Sequence, residues 1–200
     1  MSNSDQQRWD ARYARFSSIQ GVAPAPWLVS EIERLPRGAA LDLACGRGGN
    51  AIYLASQGFA VDAIDVSPVG LQLARRAAEM AGQTVNFICQ DLLAAPDFAD
   101  SQYQLIVMFH FIAPSLLARL PQVLAPGGLL MVEEHLRWPG AVAGPGSDRF
   151  RVAPGELAQS VPELDILVMQ EALVMREAGP HDDVDQLPFA LSRLLARRPT

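Results

Sequence analysis

Leu41-Asp42-Leu43-Ala44-Cys45-Gly46-Arg47-Gly48-Gly49-Asn50 is a short apolar run that empties into a turn rich in glycine. The run from Ala39 to Cys45 predicts a buried strand. Ala51, Ile52, Tyr53, Leu54 and Ala55 then begin a helix to Gln57, with Gly58 where a left-handed helix stop is wanted. Glycine lets backbone pass close to a ligand with no Cβ in the way, and the first helical turn offers unpaired N–H groups. Strand, glycine turn and helix together therefore have the local chemistry of a nucleotide cradle.

Upstream of this unit, Trp9, Arg12, Tyr13 and Phe16 fall at helical spacing in a polar helix expected over residues 5–17. A loop with two prolines (21–26) leads to a helix from Trp27 to Leu35, stopped by Pro36 and Gly38. Residues 1–36 are thus expected to form an N-terminal helical lid and residues 37–200 the main domain. Downstream the scheme repeats. Ala60–Val66 predicts a strand, Ser67-Pro68 an N-cap with proline at the first helical position, and a helix follows to Gly82. Further strands are expected at Val85–Asp91, Tyr103–His110 and Leu129–His135. A helix from Pro114 to Leu124, interrupted by Pro121, and a tight Pro126-Gly127-Gly128 turn precede the last of these. Alternating strands and helices imply parallel pairing with right-handed crossovers, hence a doubly wound α/β sheet. From Arg137 to Gly155 glycine and proline are dense, which predicts a long functional loop, followed by a short helix at 154–160. Leu164–Met175 and Phe189–Arg197 flank a polar connection, so the sheet should end in an antiparallel hairpin.

The 200 residues are 50% hydrophobic with a net charge of −6, enough for one well-buried domain. The charge and the lack of any basic run argue against nucleic acid or an anionic membrane as partner. All 16 basic residues are arginine. Without lysine, Schiff-base chemistry on an enzyme lysine and a Walker-type phosphate loop are excluded. Cys45 and Cys89 lie in apolar runs without ligand spacing and are expected as buried thiols in a reducing cytoplasm. No secretory signal and no apolar run of membrane-spanning length is present, so a soluble cytoplasmic protein is expected.

Gly46-x-Gly48-x-x-Ala51, with Asp65 ending the next strand, satisfies a dinucleotide fingerprint and keeps an NAD-dependent oxidoreductase open as an alternative. Other residues point elsewhere: Asp42 inside the first strand, a second acidic strand end at Asp91, the Pro-Gly-Gly turn and the terminal hairpin. With the Leu41–Asn50 stretch these resemble the class I S-adenosylmethionine-dependent methyltransferases over nearly the whole chain. The resemblance implies a Rossmann-like seven-stranded sheet of order 3-2-1-4-5-7-6, strand seven antiparallel, in three α/β/α layers. Gly-Gly-Asn-Ala-Ile-Tyr-Leu-Ala after the glycine turn, Asp148-Arg-Phe-Arg-Val-Ala-Pro-Gly-Glu-Leu157 and the final Leu-Leu-Ala-Arg-Arg resemble the tellurite-resistance-like small-molecule branch.

By that resemblance S-adenosylmethionine is the cofactor and S-adenosylhomocysteine the product. The methionine part would lie against Gly46 and Gly48 with Asp42 nearby, Asp65 would accept both ribose hydroxyls, and Asp91 with Leu92 would meet the adenine edge. Arg12, on a stretch resembling the N-terminal lid of such enzymes, would reach the cofactor carboxylate. Ala44, Asn50, Val66 and Phe109 complete the expected cofactor-binding set. A pocket walled by Asp42, Asp65 and Asp91 suits a cationic sulfonium better than a pyrophosphate. Methyl transfer is an in-line displacement at an activated carbon, so positioning supplies most of the acceleration and a base is needed only for a protic acceptor. His110 and His181 are the candidate catalytic residues, with His135 at the neighbouring strand end. No metal is expected, because adjacent strand residues such as Glu134 and His135 face opposite sides. Arg137, Arg149 and Arg151 on the long loop would suit an anionic acceptor. A small-molecule acceptor is expected; a module that holds S-adenosylmethionine without transferring methyl is the other alternative.

Overall fold

Period-two burial organises the chain. Within Tyr103–Phe109, Leu105 and Val107 pack into one apolar cluster and Ile106 and Met108 into another, so both faces of the sheet are covered. The computed structural model describes residues 3–16, 22–94, 96, 98, 102–175 and 187–200. It opens with α1 (Asn3–Tyr13) and α2 (Pro26–Glu31), the latter continuing as a single tighter turn through Arg34. The doubly wound half follows: β1 (Ala39–Leu43), α3 (Gly49–Ser56), β2 (Ala60–Asp65), α4 (Pro68–Met80), β3 (Asn86–Cys89) and β4 (Tyr103–Phe109). The expected single helix after β4 is two one-turn pieces, α5 (Pro114–Leu117) and α6 (Leu120–Val123). Pro121 sits at the start of the second, where its missing N–H costs nothing. β5 (Leu124–His135), α7 (Glu156–Gln159), β6 (Asp165–Val174) and β7 (Phe189–Arg197) complete the chain. The Pro-Gly-Gly turn falls inside β5, where a register shift against Tyr103 and Leu105 accommodates it.

The sheet runs β3-β2-β1-β4-β5-β7-β6. The first five pair in parallel, and β7 pairs antiparallel with both β5 and β6. One face carries α5, α6 and α7 over Leu41, Leu43, Ile106, Met108, Leu130 and Val132; the other carries α2 and α3 over Ala40, Leu105, Val107, Leu129 and Met131. Trp27, Leu28, Ile32 and Leu35 belong to that second cluster, so of the N-terminal segment α1 alone lies outside the core. Chain order reverses between β1 and β4, which places a crevice beyond their carboxyl ends, the usual ligand position in such sheets. The start of α4 follows its sequence signal: the Ser67 hydroxyl accepts from the Gly70 N–H at 3.0 Å, with Pro68 at the first position.

Candidate active site

At that crevice the structure has a cleft of about 590 Å³, including its open mouth. Its floor comes from the strand ends (Ala44, Asp65, Val66, Leu92, Phe109, His110, Phe111) and its roof from Trp9 and Tyr13 of α1. Ala44 (φ 56°) and His110 (φ 57°) are the two non-glycine residues with positive φ among the described residues, and both line this cleft. Such a conformation costs a side-chain-bearing residue roughly 1–2 kcal/mol and persists only where its surroundings enforce it. For His110 the enforcement comes from β5. His110 N–H donates to the Glu133 carbonyl at 2.8 Å, and Phe111 N–H donates to Glu134 Oε1 at 2.6 Å.

Asp65 organises the glycine turn. Its Oδ2 accepts from Gly46 N–H and its Oδ1 from Ser67 N–H, each at 2.8 Å. A carboxylate offers about four lone-pair directions, so both oxygens keep capacity for further donors. The Ser67 hydroxyl donates in turn to Asp10 of α1, which ties the roof to the N-terminus of α4. Over the turn lies Tyr13, stacked on Trp9 with ring centroids 5.6 Å apart. A Cβ on Gly46 would stand 2.7 Å from the Tyr13 hydroxyl, and one on Gly70 2.8 Å from its ring. The close approach these glycines allow is therefore made here by a tyrosine side chain.

The carboxyl groups around the turn are hard to ionise. Burial, with Asp65 adding to it, pushes Asp42 up to about 8; a hydrogen bond from Ala51 N–H opposes the rise, and Oδ2 has no partner. Burial raises Asp65 as well, with Asp10 contributing, against the N–H groups of Ser67, Gly46 and Val66. The Tyr13 phenol is raised by burial and then by Asp65. Each negative charge here is disfavoured by desolvation and by its neighbours, so a cation entering the cleft would relieve both.

At the β4–β5 side, His110 stacks on His135 with centroids 4.6 Å apart, and its Nε2 lies 3.5 Å from Glu133 Oε1. Arg193, directly opposite Glu133 in the β5–β7 register, donates to its other oxygen at 2.7 Å. The buried Glu134 carboxyl is pushed well above the usual range by burial, against the hydrogen bond from Phe111.

Of the residues expected around a cofactor, Ala44, Asp65, Val66, Leu92 and Phe109 line the cleft, together with the candidate catalytic residue His110. Gly46 lies beneath Tyr13, and Asp42 is buried behind the turn. Gly48 serves packing: a Cβ there would meet Ala74 at 3.0 Å and Phe87 at 3.3 Å. The Asn50 side chain accepts from Ala25 N–H at 2.8 Å, holding the approach to α2. Asp91 Oδ1 accepts from Leu93 N–H, and Arg12 lies over the Trp9 ring, both outside the cleft lining. His181 falls outside the described residues. Two expectations are corrected. Arg151 is no anion receptor: it is buried and donates to the carbonyls of Leu136, Ala143 and Pro145, clasping the long loop into shape. Cys89 is exposed, because β3 is an edge strand, and only Cys45 is sequestered. No cluster of three metal-ligating side chains occurs among the described residues. Glu133 and Arg193, 60 positions apart, went unread in the sequence; the only signal was an acidic pair closing an apolar strand.

Residues 40–128 match the family described as a methyltransferase domain, on a sheet whose order and antiparallel β7 are those of the class I enzymes. The chain is similar to the class I S-adenosylmethionine-dependent methyltransferases in the sequence of residues 40–128 and in its fold. A demethylmenaquinone methyltransferase of Thermus thermophilus is 38% identical over 110 residues, 52% of this chain and 49% of the relative, so the chain spans about half the length of that curated relative. Among solved structures, TehB from Haemophilus influenzae superimposes with a TM-score of 0.73 at 18% identity, over 96% of this chain and 66% of that one. The [4+2]-cyclase SpnF superimposes with a TM-score of 0.75 at 19% identity, over 98% and 95%. At these identities the likeness is one of fold, and a cyclase in the set shows that this methyltransferase fold hosts more than one reaction.

Proposed function

We propose that the chain is an S-adenosylmethionine-dependent methyltransferase acting on a small molecule, of the tellurite-resistance-like branch and working in the cytoplasm. The observation that carries this reading is the electrostatics of the cleft. Asp65 opposes ionisation of Asp42, and Asp10 opposes that of Asp65, a row of carboxyl groups that a cation would stabilise and a diphosphate would not. The residues fit the donor part by part. Asp65 has acceptor capacity left for ribose hydroxyls, Val66 and Leu92 give an apolar slot for adenine, and the Asp42 carboxyl behind the glycine turn, whose Oδ2 has no partner, gains a negative charge when a bound cation draws off its proton. Tyr13 must leave Gly46 for the methionine part to reach the turn, so α1 acts as the lid. The bound donor supplies a methyl carbon already activated by positive sulfur; the chain contributes orientation and exclusion of water. Two thiols free of disulfide suit a reducing compartment, and no helix among the described residues is long and apolar enough to cross a membrane.

Calorimetry near neutral pH, in two buffers of different ionisation enthalpy, tests the reading. Binding of S-adenosylmethionine should release protons, and Asp42→Asn should reduce that release. Binding of NAD with no response to S-adenosylmethionine would refute the proposal; tight sulfonium binding without methylated product over an acceptor panel would reduce it to a binding module.

A further inference from the structure

β5 closes with two consecutive glutamates, Glu133 and Glu134, 3% and 1% exposed. A buried carboxylate is costly unless paired and hydrogen-bonded. Glu133 spends Oε2 on Arg193 at 2.7 Å, and the Arg193 guanidinium lies 5.4 Å from the Trp27 ring centroid, which screens the pair from water. Its remaining oxygen, Oε1, is turned to His110 Nε2 at 3.5 Å. Among the described residues, Glu133 and His135 of β5 lie against His110, and Asp65 of β2 and Tyr13 of α1 line the same cleft. The hydrogen bonds donated by its own and the next N–H hold the His110 backbone in its left-handed conformation, while Glu133 faces the ring.

We propose that Glu133 is a positioning residue that holds His110 as the proton acceptor of this cleft, and that the methyl acceptor is accordingly a neutral protic nucleophile, a thiol or a phenol-type hydroxyl, rather than a preformed oxyanion. The second half of this proposal rests on the methyltransferase reading. A carboxylate at Nε2 selects the tautomer with hydrogen on Nε2 and the lone pair on Nδ1, as in other carboxylate–histidine pairs. Contacts of this type are commonly long in the ligand-free state and tighten in the complex. Arg193 donates to Oε2 of Glu133 and so leaves Oε1 as the oxygen that faces the imidazole. In the transfer, the acceptor's proton moves to His110 Nδ1 while its electron pair forms the new bond to the methyl carbon. The methyl–sulfur pair stays on sulfur as a neutral thioether, and the proton then passes to solvent. Trp9, Phe109 and Phe111 give the acceptor apolar walls, which suit an aromatic carbon skeleton.

Nuclear magnetic resonance of the full chain, labelled at histidine nitrogen, reads the tautomer and titration midpoint of His110 without any ligand. The wild type should show hydrogen on Nε2. In Glu133→Gln the two tautomers should mix and the midpoint fall by about one pH unit, because a neighbouring anion is lost, and Glu133→Asp should restore part of the shift. A wild-type Nδ1–H tautomer, or a spectrum indifferent to Glu133→Gln, would overturn the positioning role; the wild-type reading decides this even where a variant fails to fold. With saturating S-adenosylmethionine, thioether release is then followed against pH for thiophenol and phenol on one side and tellurite and selenite on the other. The protic probes should turn over, with an acidic limb that moves in Glu133→Gln as the midpoint moved and kcat down on the order of tenfold to a hundredfold at little change in KM. Turnover confined to the oxyanions, turnover with none, or an unmoved limb would overturn the acceptor assignment. Absence of S-adenosylmethionine binding in calorimetry would instead sink the methyltransferase reading, and the tautomer result would still stand or fall on its own.

Discussion

Asp42 is 2% exposed, with its carboxyl pushed up to about 8 by burial and by Asp65. In the unfolded chain an aspartate ionises near 3.9, so from about pH 4 to pH 8 the folded protein holds a proton that the unfolded one has lost. For an acid raised on folding, the contribution is fully present below the unfolded value and is lost as pH climbs to the folded one. Stability should therefore fall by about 1.4 kcal/mol per pH unit through that window, about 5.6 kcal/mol in all. Asp42→Asn removes the titration. Its amide oxygen keeps the hydrogen bond from Ala51 N–H, while its amino group inherits a position without a partner, a pH-independent cost of about 1–3 kcal/mol. The test is therefore the slope. In urea unfolding at about pH 5, 6 and 7, the stability of the variant relative to wild type should rise by about 1.4 kcal/mol at each step. Glu134 titrates in both proteins and cancels. A difference that stays flat across these pH values would show that Asp42 is ionised in the fold and would remove the electrostatic argument for a cationic ligand.

Asp65→Ala should weaken S-adenosylmethionine binding by about 1.5–3 kcal/mol through loss of charge-assisted hydrogen bonds; an unchanged Kd in calorimetry refutes its ligand role. Arg151→Met should destabilise the chain by about 3 kcal/mol, because the buried carbonyl of Leu136 and the partly buried ones of Ala143 and Pro145 lose a charged donor. Denaturant titration measures it, and accelerated proteolysis between residues 137 and 150 should accompany it. Glu134→Gln should change stability at neutral pH by less than about 1 kcal/mol, since burial pushes the carboxyl it replaces toward its neutral form and the amide oxygen still accepts from Phe111 N–H. Thermal unfolding that shows a large loss for this variant would mean that Glu134 is charged.

Hydrophobic alternation and glycine punctuation made the sheet legible. β7 begins and ends where the pattern puts it, and the Ser67-Pro68 cap opens α4 as read. Burial of a strand run was less legible at β3, because an apolar run reports a strand without saying whether a neighbour covers it, and edge position left Cys89 exposed. Polar convergence was the least legible. Arg149 and Arg151 are two residues apart in one loop, yet the former lies over the Phe150 ring while the latter is buried among carbonyls. Asn50 looks like part of a ligand turn in sequence, and nothing in local spacing announces that its side chain accepts from Ala25 N–H. Such pairings depend on sheet register and loop closure, which local spacing does not encode. The partnership of Glu133 with Arg193 appears only when β7 inserts antiparallel beside β5.

The ring of Tyr13 rests on two glycines, Gly46 and Gly70, that belong to different crossover units. One side chain from the N-terminal helix thus ties three distant positions into a single steric constraint. A methyl group gained at either glycine has to be matched by a smaller residue at position 13, so drift at any of the three positions is coupled to the others across relatives that keep this helix. The same placement makes ligand entry an exchange of one occupant for another, and the tyrosine keeps the bare glycine turn dry until that exchange takes place.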